Sequence, residues 1–405
     1  MTIIREIQYA DSPSLDAFGR LRVSNTGQRF DTEFIYNLNP ETICNIIEGT
    51  GPTATHNANT RDVTLAIVNR NNGSGRALYS HIDIPYTAGN SQLIAITSVL
   101  DFANIGTGTA SFFLRSKISG SVVDLVNTVQ SSWLNLKTGV NWNYAQIFEI
   151  DFQSLKVGRI RYGLNQSGSF IPVGSIVNDN IRNSGYWQSP SLPIFWRIYN
   201  DATYTYMECG YGDTENAIGF RYKIASNANA TMKAICATVK SEGGVDILDI
   251  PGYNRAVDMG VTPKTVGNTL IPVLSIRPTA TFNSLTNRGV YIPTGIQLET
   301  DQPILLRVYN GGTTLTGANW SSLESSDSGM EYDVAASAIS GGTLIASMYL
   351  TAANNAKIYS SSNLLGKVVL AIGRDSTVDT LSICAVRTGN SNASVKVSID
   401  WKEIR

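Results

Sequence analysis

The clearest pattern along the chain is strict two-residue alternation. Apolar Val395, Val397, Ile399 and Trp401 alternate with Lys396, Ser398, Asp400 and Lys402, which places the two sets on opposite faces of one strand. Shorter runs repeat the pattern at Val63/Leu65/Ile67, at Ile160/Tyr162/Leu164 opposite Arg159 and Arg161, at Ile194/Trp196/Ile198 and at Ile304/Leu306/Val308. Each predicts a half-buried antiparallel strand. Turn formers such as Asn72-Gly73, Ser119-Gly120, Asn310-Gly311 and Gly389-Asn390 lie between them, and their glycines supply the positive φ that tight hairpins need. Helical periodicity is hard to find. The Ala- and Ser-rich stretch Val334–Ala356 resembles a helix in composition, but Gly341-Gly342 interrupts it, and Thr343–Leu350 reads as strand. Many short strands with turns between them predict an all-β fold of sandwich or barrel type.

The same pattern divides the chain. Residues 1–40 carry isolated apolar residues among charged ones, as expected of an extended arm laid over another surface. Residues 41–245 form a larger antiparallel β-sandwich and 270–405 a smaller one, both expected to be jelly-roll-like. The glycine- and proline-punctuated stretch 246–269, with Pro251, Gly252, Pro263 and Gly267, reads as a linker.

Composition narrows the function classes. Charged residues make up only 16% of the 405 residues, hydrophobic residues 42% and aromatics 9%, so the chain has material for cores and is not a disordered polymer. It has no apolar run near the ~18 residues of a membrane span. The net charge of -1 removes the electrostatic case for nucleic-acid binding, which rests on clustered Lys and Arg. Met1-Thr-Ile-Ile-Arg-Glu places Arg5 and Glu6 where a signal peptide needs apolar residues, so assembly in a cytoplasm is expected and the Asn-x-Ser/Thr sequons such as Asn229-Ala-Thr231 carry no weight.

Candidate chemistry is sparse. Two histidines, His56 and His81, and four scattered cysteines, Cys44, Cys209, Cys236 and Cys384, predict buried thiols and neither a metal site nor a redox motif. No cofactor is expected. Glu149, Asp151 and Gln153 share a strand face, as in the E-x-D-x-E row of laminarinase-type glycoside hydrolases. Gln153 stands where the acid belongs and cannot donate and recover a proton, so a polar outer strand face is expected. Gly49-Thr-Gly51-Pro-Thr-Ala54 lacks the following helix of a dinucleotide site, and Asp327–Glu331 lacks the acidic density of a calcium loop. Tyr186 and Trp187 fall in a loop between Gly185 and Pro190. They either cap the sandwich or plug a subunit interface, or they stack against a glycan. With no basic cluster in the sequence, such a glycan is expected to be neutral or weakly charged.

One segment is distinctive. Asp16-Ala-Phe-Gly-Arg-Leu-Arg-Val-Ser24 resembles the D-A-F-G-R-L-R-V-S signature of a family of virion structural proteins of tailed bacteriophages. The similarity continues through Gly89–Leu93 (family G-K-S-Q-L), Ile150–Arg161 (I-D-F-Q-W-L-G-V-G-R-V-R), Ser189–Pro193 (T-P-N-L-P) and Ile235–Gly244 (I-C-x-x-V-x-S-E-G-G). Asn90 departs from the family Lys, and Ser154 and Lys156 from its Trp and Gly. The resemblance implies a non-enzymatic virion component: a fibre, spike or baseplate part attached through an arm containing Asp16, Phe18, Gly19, Arg20, Leu21, Arg22 and Val23. It implies other virion proteins as partners and a homo-oligomer, a trimer favoured, with host-glycan contact at Tyr186 and Trp187 as a further expectation. A capsid decoration or head-fibre protein is the alternative, and a carbohydrate-active enzyme a remote one.

Overall fold

A computed structural model of the chain describes residues 25–67, 71–100, 108–181, 183–225, 229–243, 250–323, 327–351, 353–360 and 368–405. The arm residues Asp16, Phe18, Gly19, Arg20, Leu21, Arg22 and Val23 lie outside them. The described chain is all-β, with 28 strands, numbered here in chain order, and one short 3-10 turn at Gln130–Ser132. Among the described residues no helix is long and apolar enough to cross a membrane. The chain divides into two compact units, Met1–Asp249 and Ile250–Arg405.

The larger unit is a sandwich of two antiparallel sheets. One runs β11 (Ser169–Ile176), β10 (Ile160–Gln166), β9 (Gln146–Phe152), β6 (Gln92–Val99), β15 (Ala230–Ser241), β4 (Asp62–Ile67) and β3 (Thr53–Asn57). The long β15 divides its second edge, taking β4 along Ala230–Ala234 and β1 (Gly27–Glu33) along Cys236–Ser241. The facing sheet runs β2 (Ile43–Glu48), β5 (Gly75–Ser80), β12 (Ile194–Asn200), β13 (Tyr204–Gly212), β14 (Ala217–Ala225), β7 (Thr109–Ile118) and β8 (Ser121–Val129). Rings from both sheets meet between them: Phe148 of β9 lies 4.7 Å from Phe220 of β14, and Phe152 of β9 lies 5.5 Å from Tyr211 of β13. Each fully buried ring contributes roughly 1.5–3 kcal/mol of apolar burial.

The smaller unit repeats the plan with aliphatic residues. A five-stranded sheet places β16 (Tyr253–Asp258), β28 (Ala393–Ile404), β21 (Val290–Thr300) and β26 (Ala353–Ser360) side by side, with β17 (Lys264–Val266) also on β28. A six-stranded sheet runs β23 (Ser321–Ser322), β24 (Met330–Asp333), β18 (Ile271–Pro278), β27 (Leu381–Arg387), β22 (Ile304–Thr316) and β25 (Ala338–Leu350). A small hairpin, β19 (Thr281–Phe282) and β20 (Leu285–Thr286), stands apart from both. The alternation of Val395–Lys402 is realised in full, since β28 buries every second residue along its length. The Ala- and Ser-rich stretch is strand from Ala338 to Leu350, with both glycines in the left-handed region.

Two expected boundaries move. The arm does not extend to residue 40, because Gly27–Glu33 is a strand of the larger sandwich. Its alternation is hidden by a bulge between Gln28 and Phe30, which shifts the side-chain phase. Nor is 246–269 an irregular linker throughout, since β16 and β17 both pair with β28. β16 is an edge strand with mostly exposed side chains, so it carries little apolar signal.

Candidate functional site

Three of the segments that resemble the phage family, Gly89–Leu93, Ile150–Arg161 and Ile235–Gly244, separated by tens of residues in sequence, converge around the root of β1. Gly27 pairs with Ser241 and Gln28 with Lys240, while Gln92 of β6 faces the same Ser241 from the other side. Asp151, from the segment Ile150–Arg161, accepts from Ser91 Oγ at 2.6 Å and from Arg161 Nε at 3.1 Å. Gln153 Nε2 donates to the Gly89 carbonyl at 2.7 Å, and the Glu242 amide donates to the Ser91 carbonyl at 3.0 Å. Asp151, Gln153 and Arg161 are all buried. The polar outer face expected for Glu149, Asp151 and Gln153 is therefore corrected: only Glu149 is half-buried, accepting from Asn165 Nδ2 at 2.9 Å. Buried polar groups persist where each finds a partner, and this row finds them in neighbouring segments rather than in water.

The turn after β9 is fixed by backbone contacts. Val157 and Gly158 amides both donate to the Ser154 carbonyl, at 2.9 and 2.6 Å. A Cβ on Gly158 would stand 1.6 Å from the Gln153 carbonyl oxygen, so no other residue fits without moving the backbone. Leu155 and Lys156 both have positive φ, +30° and +63°.

β1 itself is anchored. Phe34, just beyond it, is fully buried and meets Trp196 edge-on at 5.7 Å, and its carbonyl lies 2.8 Å from His56 Nε2. Buried Arg29 donates from Nη2 to Thr87 Oγ1 at 3.2 Å.

Tyr186 and Trp187 belong to the core of this unit. Tyr186 is 0% and Trp187 2% exposed. Trp187 donates from Nε1 to the Arg115 carbonyl at 3.2 Å and lies edge-on to Phe152 at 5.7 Å, while the Tyr186 amide donates to the Lys156 carbonyl at 2.9 Å. They cap the sandwich, and the expected glycan contact at these residues is corrected, because neither ring is open to a ligand. The adjacent Ser189–Pro193 segment is tied down by Tyr211, whose hydroxyl donates to the carbonyl of Pro190 at 2.9 Å.

A second polar constellation, missed in the sequence, occupies the other face of the seven-stranded sheet. Glu208 of β13 stands in register with Arg221 of β14 on one side and Arg197 of β12 on the other. Its Oε1 accepts from Arg221 Nε at 2.6 Å and Arg115 Nη2 at 3.0 Å, and Asp124 closes the cluster by accepting from Arg221 Nη1 at 2.7 Å. Burial alone would raise the Glu208 carboxyl, but the Arg115, Arg221 and Arg197 charges outweigh it and bring it from 4.5 down to about 2. A carboxyl held so low is ionised at neutral pH and cannot act as a general acid. One sequence signal existed: Glu208 and Arg221 interrupt the otherwise apolar or small runs Met207–Tyr211 and Gly219–Tyr222.

The remaining candidates are chemically ordinary. All four cysteines are free thiols, with Cys44, Cys209 and Cys384 buried and Cys236 half-buried. Thr53 begins β3 directly after the Gly49–Pro52 turn, so no helix N-terminus follows. Asp327 is exposed, whereas Ser328 is buried against Glu403.

No protein-family model matches the chain. No curated protein matches it either. Among solved structures, the N-terminal CBM22-1–CBM22-2 tandem domain from Paenibacillus barcinonensis Xyn10C is 8% identical, covering 97% of this chain and 100% of its own at a TM-score of 0.23. A conserved carbohydrate esterase from Shiga toxin-encoding bacteriophage phi24B is 9% identical over 54% of this chain and 100% of its own, at 0.23. Lectin II from Ulex europaeus is 14% identical over 53% and 97%, at 0.20. At these scores the likenesses carry no argument about this chain.

Proposed function

We propose that the chain is a non-enzymatic structural protein of a tailed-bacteriophage virion, a homo-oligomeric component of a surface appendage attached through the residues that precede β1. The observation that carries the reading is a convergence in space: three segments resembling the phage family, Gly89–Leu93, Ile150–Arg161 and Ile235–Gly244, meet at the point where β1 enters the sandwich, shortly after Asp16–Ser24 in sequence. Paired strands and the buried Asp151–Arg161 ion pair at that root give an attachment segment a rigid base. The non-enzymatic part is supported by the state of the carboxylates. Asp151 and Glu208 are engaged by arginines, and Gln153 occupies the position an acid would need.

The strand assignment sets where a deletion must stop. Removing residues 1–24 leaves β1 and its anchors Phe30 and Phe34 in place, so the truncated chain should fold and fail to enter particles. Particle incorporation, scored by immunoblot of purified virions, checks this. Normal incorporation of the 1–24 deletion would defeat the attachment reading.

A further inference from the structure

An open cleft in the smaller unit, about 380 Å³ in volume, is lined by Tyr253, Arg255, Phe282, Asn283, Asp327 and Arg405. It falls at the small end of the range of ligand clefts, roughly 300–1,000 Å³. Period-two geometry builds it. β16 pairs with β28 so that Tyr253 stands opposite Glu403 and Arg255 opposite Trp401. Trp401, Glu403 and Arg405 follow one another at two-residue spacing. Phe282 and Asn283 come from the hairpin tip, where Asn283 and Ser284 take φ of +48° and +64°.

Arg405 is the organised element. Its guanidinium carbon lies 4.6 Å from the ring centroid of Tyr253 and 4.6 Å from that of Phe282. Its Nε is 3.2 Å from Glu403 Oε2. Glu403 is fully buried and fixed through Oε1, which accepts from Ser328 Oγ at 2.5 Å and Trp401 Nε1 at 3.0 Å. Two aromatic contacts and one buried acid thus set the position of the group. Among the described residues nothing accepts a hydrogen bond from its two Nη atoms. Arg255 is different: its Nε and Nη2 donate to the Asp327 carbonyl at 3.2 and 2.9 Å, and its Nη1 to the Asn254 carbonyl at 3.0 Å.

We propose that this cleft binds an acidic sugar, its carboxylate held by the Nη edge of Arg405. A planar guanidinium with its orientation already fixed matches the two oxygens of a carboxylate and loses little freedom on pairing. The other lining groups select what carries that carboxylate. Tyr253, 57% exposed, offers an apolar surface to a pyranose ring. The Asp327 carboxylate and the Asn283 amide match hydroxyl groups. Asp327 also disfavours a compact anion such as phosphate, which has no hydroxyl-bearing ring to set against it. A basic group of this kind was invisible in the net charge, because Arg255 and Arg405 meet only after β16 and β28 pair. The inference goes beyond the attachment reading and stands on the smaller unit alone, so purified protein tests it whether or not the chain enters particles.

Saturation-transfer NMR on the full chain with D-glucuronic acid, D-glucose and inorganic phosphate decides it. Wild type should transfer saturation to glucuronate ring protons and not to glucose, and Arg405→Gln should weaken glucuronate binding at least tenfold in protein that is still folded, although a lower melting temperature is expected because Glu403 loses its counter-charge. Arg405→Lys, which keeps the charge and loses the fork, should also weaken it. Should Arg405→Gln disturb folding, Tyr253→Ala at the exposed wall provides a second variant with the same expected loss. Absence of glucuronate binding by wild type, equal binding of glucose, displacement by phosphate as effective as by glucuronate, or unchanged binding in the folded variants would each overturn the proposal.

Discussion

The Glu208 cluster of the larger unit and the Glu403–Arg405 pair of the smaller one use the same chemistry to different ends. Both bury a glutamate completely and set arginines against it. Glu208 lies mid-strand with an arginine in register on each side, and the Arg115 and Arg221 side chains are only 7% and 5% exposed. Their donors turn inward to Glu208 and Asp124. Glu403 also has a strand on each side, but the residues opposite it are Tyr253 and Tyr291 rather than arginines, and its own arginine rests on the Tyr253 and Phe282 rings with an edge toward the cleft. The residues in register on the flanking strands thus decide whether a buried acid closes a structural network or aims a cation outward.

If the Glu208 cluster is closed in that sense, removing its charge should cause the largest effect. Glu208→Gln takes the counter-charge from two buried arginines, and breaking a buried pair in this way costs about 3–5 kcal/mol. Urea unfolding followed by tryptophan fluorescence would measure it, since Trp133, Trp142, Trp187 and Trp196 all lie in the larger unit. A loss below about 1 kcal/mol, the range of exposed pairs, would show that the two regions differ less than their geometry suggests.

Acid titration sharpens the same contrast. Glu208 has its folded-state pKa depressed from 4.5 to about 2, so it contributes stability that is complete above pH 4.5 and lost as pH falls toward 2. The amount is on the order of 3 kcal/mol, because each tenfold change in proton affinity between the unfolded and folded chain is worth about 1.4 kcal/mol. Wild type should lose stability across this window, and Glu208→Gln should show a shallower slope. Parallel slopes in the two proteins would assign the acid sensitivity to other carboxylates.

How much of this was readable beforehand depended on where side chains found their partners. β28 was clear, because one of its faces is buried by apolar residues and the other is left to polar ones. β7 and β14 were obscured for the opposite reason: both faces are largely buried, one against the sandwich core and the other around Phe113 and the Glu208 cluster. Alternation marks a half-buried strand, and a strand covered on both sides has none to show. The Asp151 row misled for a related reason. Glu149 and Asp151 share one face of β9 and Gln153 lies just past its end, but the burial of Asp151 and Gln153 depends on Ser91, Arg161 and the Gly89 carbonyl, which only tertiary pairing brings near. Trp187 lies outside the strands, as its Gly- and Pro-flanked segment predicts, and the loop folds inward because the Lys156 carbonyl and the Arg115 carbonyl both accept from it.

The smallest expected effect tests the turn that holds that loop. Lys156 adopts a φ of +63° where the resembled family carries Gly, and an L-residue in this region costs about 1–2 kcal/mol. Lys156→Gly removes that cost, while the added freedom of glycine in the unfolded chain returns roughly 0.5–1 kcal/mol of it. The net gain should be at most about 1.5 kcal/mol, raising the melting temperature by a few degrees at most. A second change separates backbone relief from altered packing. A Cβ built on Gly185 would lie 2.7 Å from the Lys156 Cβ, so Gly185→Ala should be costly in the wild type and cheaper once Lys156 is Gly. The two substitutions should therefore be non-additive in a double-mutant cycle. Additive effects would mean that the two segments do not press on one another, and the cap formed by Tyr186 and Trp187 would then owe its place to its own core contacts rather than to the turn.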